Sequence, residues 1–361
     1  MKQFLFLLVF AIVFNSKMFA NELRLNLVSG KVLHNRNHTD LSELPKNEKP
    51  LLLEYSDSNN YELISKAKSI ASDPRNIALM VLEDGKVIFE NYNFGTNKNT
   101  HFLSMSMAKS LTAYTIAQQL CDGRIRSLND PIGNCAKDIS FSFYDDVKIV
   151  NSLRMASGHA RPTEHGHTIT GQFNKLTKTN EIEMMDLFKV AHQTDKQGTK
   201  FRYNGHDTAS IERVIAANAN EPNMVKEFRR NIWNEIGAES DAFWLTDRNG
   251  IPLSFSGFYA TMPDWARLAL WSLDKVHEDS CIGDYMRQAT VPQSKGIIEN
   301  DAPQGRGFTG YGFQTWLRKG QYWWVGYGGQ RVAIDPNRKR IIIAFSTKKY
   351  DGKLVKLMDS W

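Results

Sequence analysis

The stretch Phe102-Leu-Ser-Met-Ser-Met-Ala-Lys-Ser-Leu-Thr112 places a serine three residues before a lysine. Residues three apart share one face of a helix, so Ser106 and Lys109 can touch if Ser106 lies where a helix begins. A lysine amine accepts a proton only when it is uncharged, and burial beside a nucleophile lowers its pKa in that direction. The positive end of the helix dipole would favour the developing alkoxide. This spacing indicates an activated serine nucleophile.

The segments on either side of this stretch support that interpretation. Residues 108–120 are rich in helix formers and carry one mostly small, apolar stripe. Residues 77–90 predict a β-hairpin, because two apolar runs flank an Asp84-Gly85 turn. The S-x-x-K pattern alone is weak, and an amphipathic helix with a capping serine and a solvated lysine is the alternative. We expect a hairpin that leads into a buried helix bearing the nucleophile.

Five motifs in order along the chain carry a resemblance to a known family. They are the S-M-A-K-S-L-T helix with Gly85 before it, Asp122-Gly-Arg-Ile-Arg-Ser-Leu-Asn-Asp-Pro131, Asn151-Ser-Leu-Arg-Met-Ala-Ser-Gly158, Tyr203-Asn-Gly-His-Asp-Thr208 and Gly326-Tyr-Gly-Gly-Gln330. Between about residues 76 and 347 the chain resembles the serine β-lactamase and penicillin-binding protein superfamily. Within it, the chain is most similar to class C-type serine hydrolases, which include carboxylesterases and the 6-aminohexanoate-dimer hydrolases. The resemblance implies an α+β fold of the β-lactamase/transpeptidase type, with an antiparallel sheet flanked by helices and an interleaved, mainly helical region.

The resemblance also implies a role for each motif residue. Ser106 would be the nucleophile that accepts the acyl group, and Lys109 would be its proton partner. Tyr203 would act as base towards Ser106 and as acid towards the leaving group, which requires Lys109 to lower the phenol pKa from about 10. Trp324-Val-Gly326 is similar to the W-x-G form of the family's carboxylesterases. The backbone N–H groups of Ser106 and Tyr327 would form the oxyanion hole.

Two positions depart from the family pattern. Gly205 stands where asparagine is common, with Asn204 one place earlier, and the third motif lacks its lysine. Without that charge an anionic substrate loses an anchor, which favours an ester or a neutral amide unless Arg306, Lys319 or Arg331 replaces it.

We expect a fairly apolar acyl pocket, shaped by Trp324, Tyr327 and the loop 159–167. The candidate substrate-binding residues are Trp324, Gly326, Gly328, Asn204, His206 and His165. Several of these residues have a structural alternative. Tyr203 could be an aromatic residue of the core, and Trp324 could pack against neighbouring strands. The glycines could allow close packing of a strand or form a β-bulge.

Four residues whose side chains can bind a metal fall close together: His159, Glu164, His165 and His167. They do not form H-E-x-x-H, and the proline and glycine among them place them on a loop rather than on one helix face. A zinc site is therefore the weaker interpretation, and a polar loop bordering the pocket is the stronger one. We assign no metal and no organic cofactor.

Residues 1–20 have the form of a secretory signal. Lys2 precedes an apolar run at 4–14, and a cleavage point fits after Ala20. The run is too short to span a bilayer comfortably, although Met18 is larger than ideal for that cleavage point and leaves an uncleaved anchor as the alternative. No later stretch of the sequence approaches eighteen apolar residues. We expect a mature protein that is exported to a bacterial periplasm.

The three cysteines, Cys121, Cys135 and Cys281, allow at most one disulfide within the chain. Cys121 ends the nucleophile helix and Cys135 follows the Asp130-Pro131 turn, so a bridge between them would close a short loop. Two buried thiols are the alternative, and Cys281 would be left over. None lies beside a histidine base, so no cysteine is assigned a catalytic role.

The charge and organisation of the chain complete the expectation. A net charge of +6, from 45 basic and 39 acidic residues, is scattered without a basic stripe, which argues against nucleic-acid binding. We expect a signal at 1–20, a polar extension on the surface at 21–75 and a hydrolase domain at 76–361. Its sheet part would comprise about 76–100 and 255–361, with strands near 310–347 and a closing helix. Its helical part would comprise about 101–254.

Together these features predict an exported serine hydrolase that cleaves an ester or amide through an acyl-enzyme, with an esterase-like preference. The first alternative is a β-lactamase or D-alanyl-D-alanine carboxypeptidase. The second alternative is a non-catalytic binding protein on a penicillin-binding fold, motivated by Gly205 and the missing lysine. We expect a small-molecule ester or amide substrate, no nucleic-acid partner and no stable membrane insertion after signal cleavage.

Overall fold

The computed structural model describes residues 40–160, 183–293 and 307–360. The strands in these ranges are β1 (Asp40–Leu44), β2 (Glu54–Tyr55), β3 (Asn76–Glu83), β4 (Lys86–Tyr92), β5 (His101–Leu103), β6 (Ala242–Thr246), β7 (Phe258–Thr261), β8 (Gly310–Tyr311), β9 (Trp316–Arg318), β10 (Gln321–Val325), β11 (Arg331–Asp335) and β12 (Arg340–Ser346). The α-helices are α1 (Tyr61–Ala71), α2 (Ala108–Cys121), α3 (Ile132–Cys135), α4 (Ile149–Leu153), α5 (Asp186–Val190), α6 (His206–Ala217), α7 (Met224–Phe228), α8 (Met262–His277), α9 (Cys281–Ala289) and α10 (Asp351–Asp359). Short 3₁₀ turns lie at Met105–Met107, Lys137–Ile139 and Phe143–Asp146, and a π-helical turn lies at Arg229–Trp233.

The larger sheet has the strand order β2-β4-β3-β12-β11-β10-β9-β8 in the described residues. Its pairs are antiparallel except for β2 with β4. Strands from both ends of the chain meet at its centre, where Met80 of β3 lies opposite Ile343 of β12. The β3–β4 hairpin turns at Asp84 and Gly85, whose φ angles of 48° and 81° are those of a tight two-residue turn. The expected α+β fold with an antiparallel sheet is confirmed.

Side chains alternate between two apolar layers along the central strands. On β10, Tyr322 and Trp324 face the layer that contains α2 and α8. Trp323 and Val325 face the opposite layer, which contains α1 and α10. Because helices cover both faces of the sheet, the central strands are apolar at nearly every position.

A second, smaller sheet has the order β1-β6-β7-β5, with antiparallel pairs. From residue 40 onward, the predicted N-terminal extension contributes to both sheets, because β1 pairs with β6 and β2 pairs with β4. Helix α1 of the same segment packs on the outer layer of the larger sheet. None of the helices in the described ranges is both long and apolar enough to cross a bilayer.

Helix α2 is buried along most of its length and contacts α6, α7 and α9. Its polar side chains bond to carbonyls of neighbouring segments: Thr112 Oγ1 donates to Ser254 O at 2.8 Å, and Gln119 Nε2 donates to Ile215 O at 2.8 Å. Buried polar groups that are hydrogen-bonded in this way hold a helix in one position. Helix α2 is therefore a rigid support for the residues at its start.

The disulfide joins Cys121 to Cys281, with a Cα–Cα distance of 5.7 Å, and Cys135 is free. The Cys121–Cys135 bridge, one of the two alternatives that the sequence left open, is wrong, and so is the expectation that Cys281 would be left over. Helix α9 begins at Cys281 and packs against α2, so a cysteine 160 residues further along the chain reaches the end of the nucleophile helix. Cys135 instead ends α3, where its carbonyl accepts a hydrogen bond from Asn218 Nδ2 at 3.2 Å.

Candidate active site

Ser106 lies in the 3₁₀ turn that joins β5 to α2. Ser104 anchors this turn, because its N–H donates to Phe258 O at 2.7 Å and its hydroxyl accepts the Phe258 N–H at 3.1 Å. Met105 has a φ of 46°, a left-handed conformation that is strained for a residue other than glycine. The anchored bend leaves the Ser106 side chain partly exposed at the start of a buried helix.

Lys109 lies one helical turn further, in α2, and its side chain is fully buried. Its Nζ is 3.4 Å from Ser106 Oγ and donates to Phe255 O at 2.8 Å. The Nζ also lies over two rings, 5.3 Å from the centroid of Tyr203 and 5.1 Å from that of Phe255. Burial lowers the pKa of Lys109 well below its usual value, and none of these groups carries a full negative charge to oppose the shift. An amine in this setting can accept a proton.

Tyr203 also contacts Ser106. Its hydroxyl is hydrogen-bonded to Ser106 and to Trp316, and its ring packs edge-on against Tyr311 at 6.1 Å between centroids. Burial raises the pKa of Tyr203 to about 12, and these hydrogen bonds only partly oppose it. The expectation that Lys109 lowers the phenol pKa is therefore wrong, because a desolvated lysine does not supply a full positive charge. With this pKa, Tyr203 keeps its proton near neutral pH and can donate a hydrogen bond or a proton.

The turn after β10 approaches the nucleophile from the sheet. A Cβ on Gly326 would lie 2.4 Å from Ser104 O and 3.2 Å from Met105 Cβ, so only glycine fits between the turn and the nucleophile segment. Tyr327 follows, with 58% of its surface exposed. Among the described residues, its N–H donates to no backbone acceptor. Tyr203 and the turn at Gly326, both far from Ser106 and Lys109 in sequence, thus come together with them at one site.

The family model described as Beta-lactamase matches residues 71–359. The chain belongs to the β-lactamase family. This membership places the chain among the serine hydrolases. A comparison with curated proteins finds no match.

Solved structures of the β-lactamase fold resemble this chain at low sequence identity. A Bacillus anthracis protein assigned as a 6-aminohexanoate-dimer hydrolase is 20% identical, with a TM-score of 0.75 over 94% of this chain and 92% of that one. EstCE1, a hydrolase with promiscuous acyltransferase activity, is 14% identical, with a TM-score of 0.63 over 82% and 97%. A class C β-lactamase mutant is 13% identical, with a TM-score of 0.60 over 85% and 100%. At these identities the likeness shows the fold.

The departure from the β-lactamase family pattern at Gly205 has a packing reason. A Cβ on Gly205 would lie 3.3 Å from the Phe255 ring, so that ring fills the space that a larger side chain would need. Phe255 in turn supplies both the carbonyl and one of the rings that surround Lys109. Sequence analysis missed Phe255, because a single phenylalanine 146 residues from Lys109 carries no motif signal.

Two residues of the second motif that the sequence predicts to bind substrate, Asn204 and His206, are buried in this structure. Asn204 is buried; its Oδ1 accepts from Asp207 N at 2.7 Å and its Nδ2 donates to Arg202 O at 2.7 Å. It therefore shapes the start of α6. His206 is also buried, and its ring stacks on that of His159 at 4.2 Å between centroids. Both side chains support the segment that carries Tyr203.

The third-motif tryptophan, also predicted to bind substrate, lies inside the protein. Trp324 is fully buried, its ring packs edge-on against Tyr114, and its Nε1 donates to Tyr114 Oη at 3.0 Å. Strand alternation points it to the layer that contains α2, so it packs behind the site. Gly328 has a φ of 83°, which a turn residue other than glycine rarely adopts, and its position serves the turn.

Asp207 connects the second motif to an earlier one. Its Oδ1 accepts from Ser157 Oγ and from Tyr144 Oη, each at 2.6 Å, inside the protein. Burial raises the pKa of this carboxyl to about 6. These bonds hold the Ser157-Gly158 turn against the start of α6.

The remaining predicted site residue, His165, lies outside the described residues, as do Glu164 and His167. Within the ranges 40–160, 183–293 and 307–360, no group of three metal-binding side chains is close enough together to hold an ion.

Proposed function

We propose that this serine hydrolase cleaves an ester through an acyl-enzyme on Ser106. The observation that carries the proposal is the setting of Lys109, whose Nζ is fully buried, has a lowered pKa and lies 3.4 Å from Ser106 Oγ. An uncharged amine at this distance can take the hydroxyl proton, which a solvated lysine cannot do near neutral pH.

Acylation begins when Ser106 Oγ attacks the substrate carbonyl carbon and its proton passes to Lys109 Nζ. The backbone N–H groups of Ser106 and Tyr327 stabilise the charge that develops on the carbonyl oxygen. When the tetrahedral intermediate collapses, Tyr203 donates its phenol proton to the leaving oxygen, and the Lys109 ammonium returns a proton to the phenolate. Water then attacks the acyl carbon, the same proton transfers run in reverse, and the acid leaves Ser106 free.

The charges at the site favour a neutral substrate. Arg331 is fully buried and paired with Asp351 at 2.5 Å, so it is not available to a substrate anion. Lys319 is exposed, and its Nζ lies 3.5 Å from the Asp359 carboxylate. It precedes β10, whereas the site lies after the end of that strand. Arg306, the third cation considered as a replacement for the family lysine, lies outside the described residues. With neither Arg331 nor Lys319 available to it, a substrate carboxylate is not anchored by the third motif in the described part of the chain, which favours an ester or a neutral amide.

Export to the periplasm is part of this proposal. The form of residues 1–20 supports it, and so does the Cys121–Cys281 disulfide, because disulfides persist in oxidising compartments and are rare in the cytosol. Osmotic-shock fractionation of a bacterium that expresses the full chain tests this. Most of the protein should appear with the periplasmic fraction at the mass of the chain without its first twenty residues.

Intact-mass spectrometry after treatment with a fluorophosphonate tests the catalytic proposal. A single adduct on the wild type, and none on Ser106→Ala, is the expected result. An absence of adduct on folded wild-type protein would overturn the acyl-enzyme mechanism and favour the binding-protein alternative.

Substrate class is then decided by rates. We expect kcat/KM for p-nitrophenyl butyrate to exceed that for a chromogenic cephalosporin by at least about 100-fold. A site that lacks a group to bind the cephalosporin carboxylate can discriminate against this substrate by about that factor. A cephalosporin rate equal to the ester rate would make this chain a β-lactamase.

A further inference from the structure

The turn between β10 and β11, residues 326–330, has carbonyl groups that accept hydrogen bonds from side chains of the turn and of the neighbouring strands. Gln330 Nε2 donates to Tyr327 O at 2.6 Å, and Ser346 Oγ lies 3.1 Å from Gly328 O. The first carbonyl of the turn, Gly326 O, accepts from Arg331 Nη1 at 2.5 Å. The orientation of each peptide in this turn is therefore set from inside the protein.

The Gly326–Tyr327 peptide carries the N–H that the proposed function assigns to the oxyanion hole. The C=O and N–H of a trans peptide lie in one plane and point in opposite directions. Because Gly326 O points inward to Arg331, the Tyr327 N–H points away from the guanidinium. The peptide's contact with the nucleophile segment is close, since Gly326 lies against Ser104 and Met105.

Arg331 is held in place by more than this one bond. Its side chain is fully buried, its Nε donates to Asp351 Oδ1 at 2.5 Å, and its Nη1 also donates to Gln330 O at 2.7 Å. Asp351 belongs to the first turn of α10, on the outer layer of the sheet. Hydrogen bonds from a charged donor are shorter and stronger than neutral ones, so this pair fixes the guanidinium rigidly.

We propose that Arg331 is a positioning residue that aims and polarises the Tyr327 N–H for the oxyanion of the transition state. The inference rests on the proposed function, because it assumes acylation of Ser106. A cation bonded to the carbonyl of an amide draws electrons from that amide and strengthens its N–H as a donor. The charge of Arg331 lies behind the peptide, where the side chain is buried and does not bind the substrate.

The variant Arg331→Lys tests this proposal, with p-nitrophenyl butyrate as substrate. One ammonium cannot bond to Asp351, Gly326 O and Gln330 O together, so the peptide is less well held. We expect kcat to fall by about 10- to 100-fold, while KM changes by less than about threefold. This fall in kcat is smaller than the one caused by removing an oxyanion donor completely. The inhibition constant of a phenylboronic acid, whose adduct with the serine mimics the tetrahedral state, should rise by a similar factor.

The matched control is Arg318→Lys. Arg318 is also buried, and its Nη1 and Nη2 each lie 2.6 Å from the carboxylate of Asp359, on the same helix α10. This variant loses a comparable ion pair without touching the 326–330 turn, so its melting temperature should fall by a comparable amount while its kcat stays within about twofold of the wild type.

The outcomes separate this inference from the proposed function. Equal losses of kcat in the two variants, or an unchanged kcat and boronate affinity in Arg331→Lys, would overturn the positioning role alone. Failure of the wild type to react with fluorophosphonate would overturn the proposed function and this inference with it. If Arg331→Lys does not fold, Asp351→Asn, which keeps the arginine and removes its carboxylate charge, is measured in the same way and must show the same split between kcat and KM.

Discussion

Replacing Lys109 by methionine should remove most of the activity while leaving the fold at least as stable. The two effects have one cause, the burial of an amine 3.4 Å from Ser106 Oγ. The loss of a positioned proton acceptor lowers kcat by about 10² to 10⁴-fold. Methionine fills a similar volume, so the packing between α2 and the Phe255 ring is retained.

The stability change follows from the pKa. Because burial lowers the pKa of Lys109 in the folded state, the side chain disfavours folding below that pKa, and the penalty disappears as the pH rises towards the unfolded value. Each pKa unit of lowering costs about 1.4 kcal/mol. Methionine removes this penalty but leaves Phe255 O without its donor, which costs about 1–3 kcal/mol. Since the pKa lies well below its usual value, we expect a free energy of unfolding at pH 7 equal to or above that of the wild type.

Urea unfolding at pH 7 and pH 10, together with hydrolysis of p-nitrophenyl butyrate, measures both effects. Any stability advantage of Lys109→Met should shrink at pH 10, because the wild-type penalty shrinks there. The exposed Lys98→Met is the matched control and should change neither quantity. A Lys109→Met variant that keeps activity within tenfold of the wild type, or that loses several kcal/mol of stability at pH 7, would refute the assignment of a buried, neutral amine.

Three further predictions follow from the structure. Tyr203→Phe keeps the aromatic packing but removes the proton donor, so kcat for p-nitrophenyl butyrate should fall by about 10² to 10⁴-fold. The melting temperature should stay within a few degrees of that of the wild type. An unchanged kcat would contradict the role of Tyr203 as proton donor. Cys281→Ser opens a crosslink between residues 160 apart and should lower the free energy of unfolding by up to about 5 kcal/mol in urea, whereas Cys135→Ser should change it by less than about 1 kcal/mol. The pKa of Asp207 is raised to about 6, so its contribution to stability decreases as the pH rises from about 4 to about 6. The free energy of unfolding of Asp207→Asn, relative to that of the wild type, should therefore improve by about 3 kcal/mol between pH 3.5 and pH 7.5. If the free energies of unfolding of the two proteins change equally over this range, Asp207 does not titrate in this way.

The fold could be predicted because its signals are local and repeated. The Asp84-Gly85 turn between two apolar runs predicts a hairpin, and the apolar runs near 310–347 predict strands of one antiparallel sheet. The spacing of Ser106 and Lys109 belongs to the same class of signal, because helix geometry alone brings residues three apart together.

Assignments that depended on which face of an element points to the pocket were less successful. Trp324 was expected to contact substrate, but strand alternation turns it towards α2. Asn204 and His206 flank Tyr203 in sequence, yet the start of α6 turns both of them inward. A motif records which residues are neighbours along the chain, and it does not record which of them the surrounding layers bury.

The sequence by itself determined the family and, through the resemblance, the α+β architecture, because five motifs in order along the chain carry them. It also determined the pairing of Ser106 with Lys109, because helix geometry brings residues three apart together. Only the tertiary structure decided that Cys121 bonds to Cys281, that Phe255 encloses Lys109, and that Arg331 points behind the 326–330 turn. Those contacts join segments that lie far apart in the chain or depend on the direction of a side chain within a packed layer. Both are set by how the layers pack together, which no short stretch of sequence encodes.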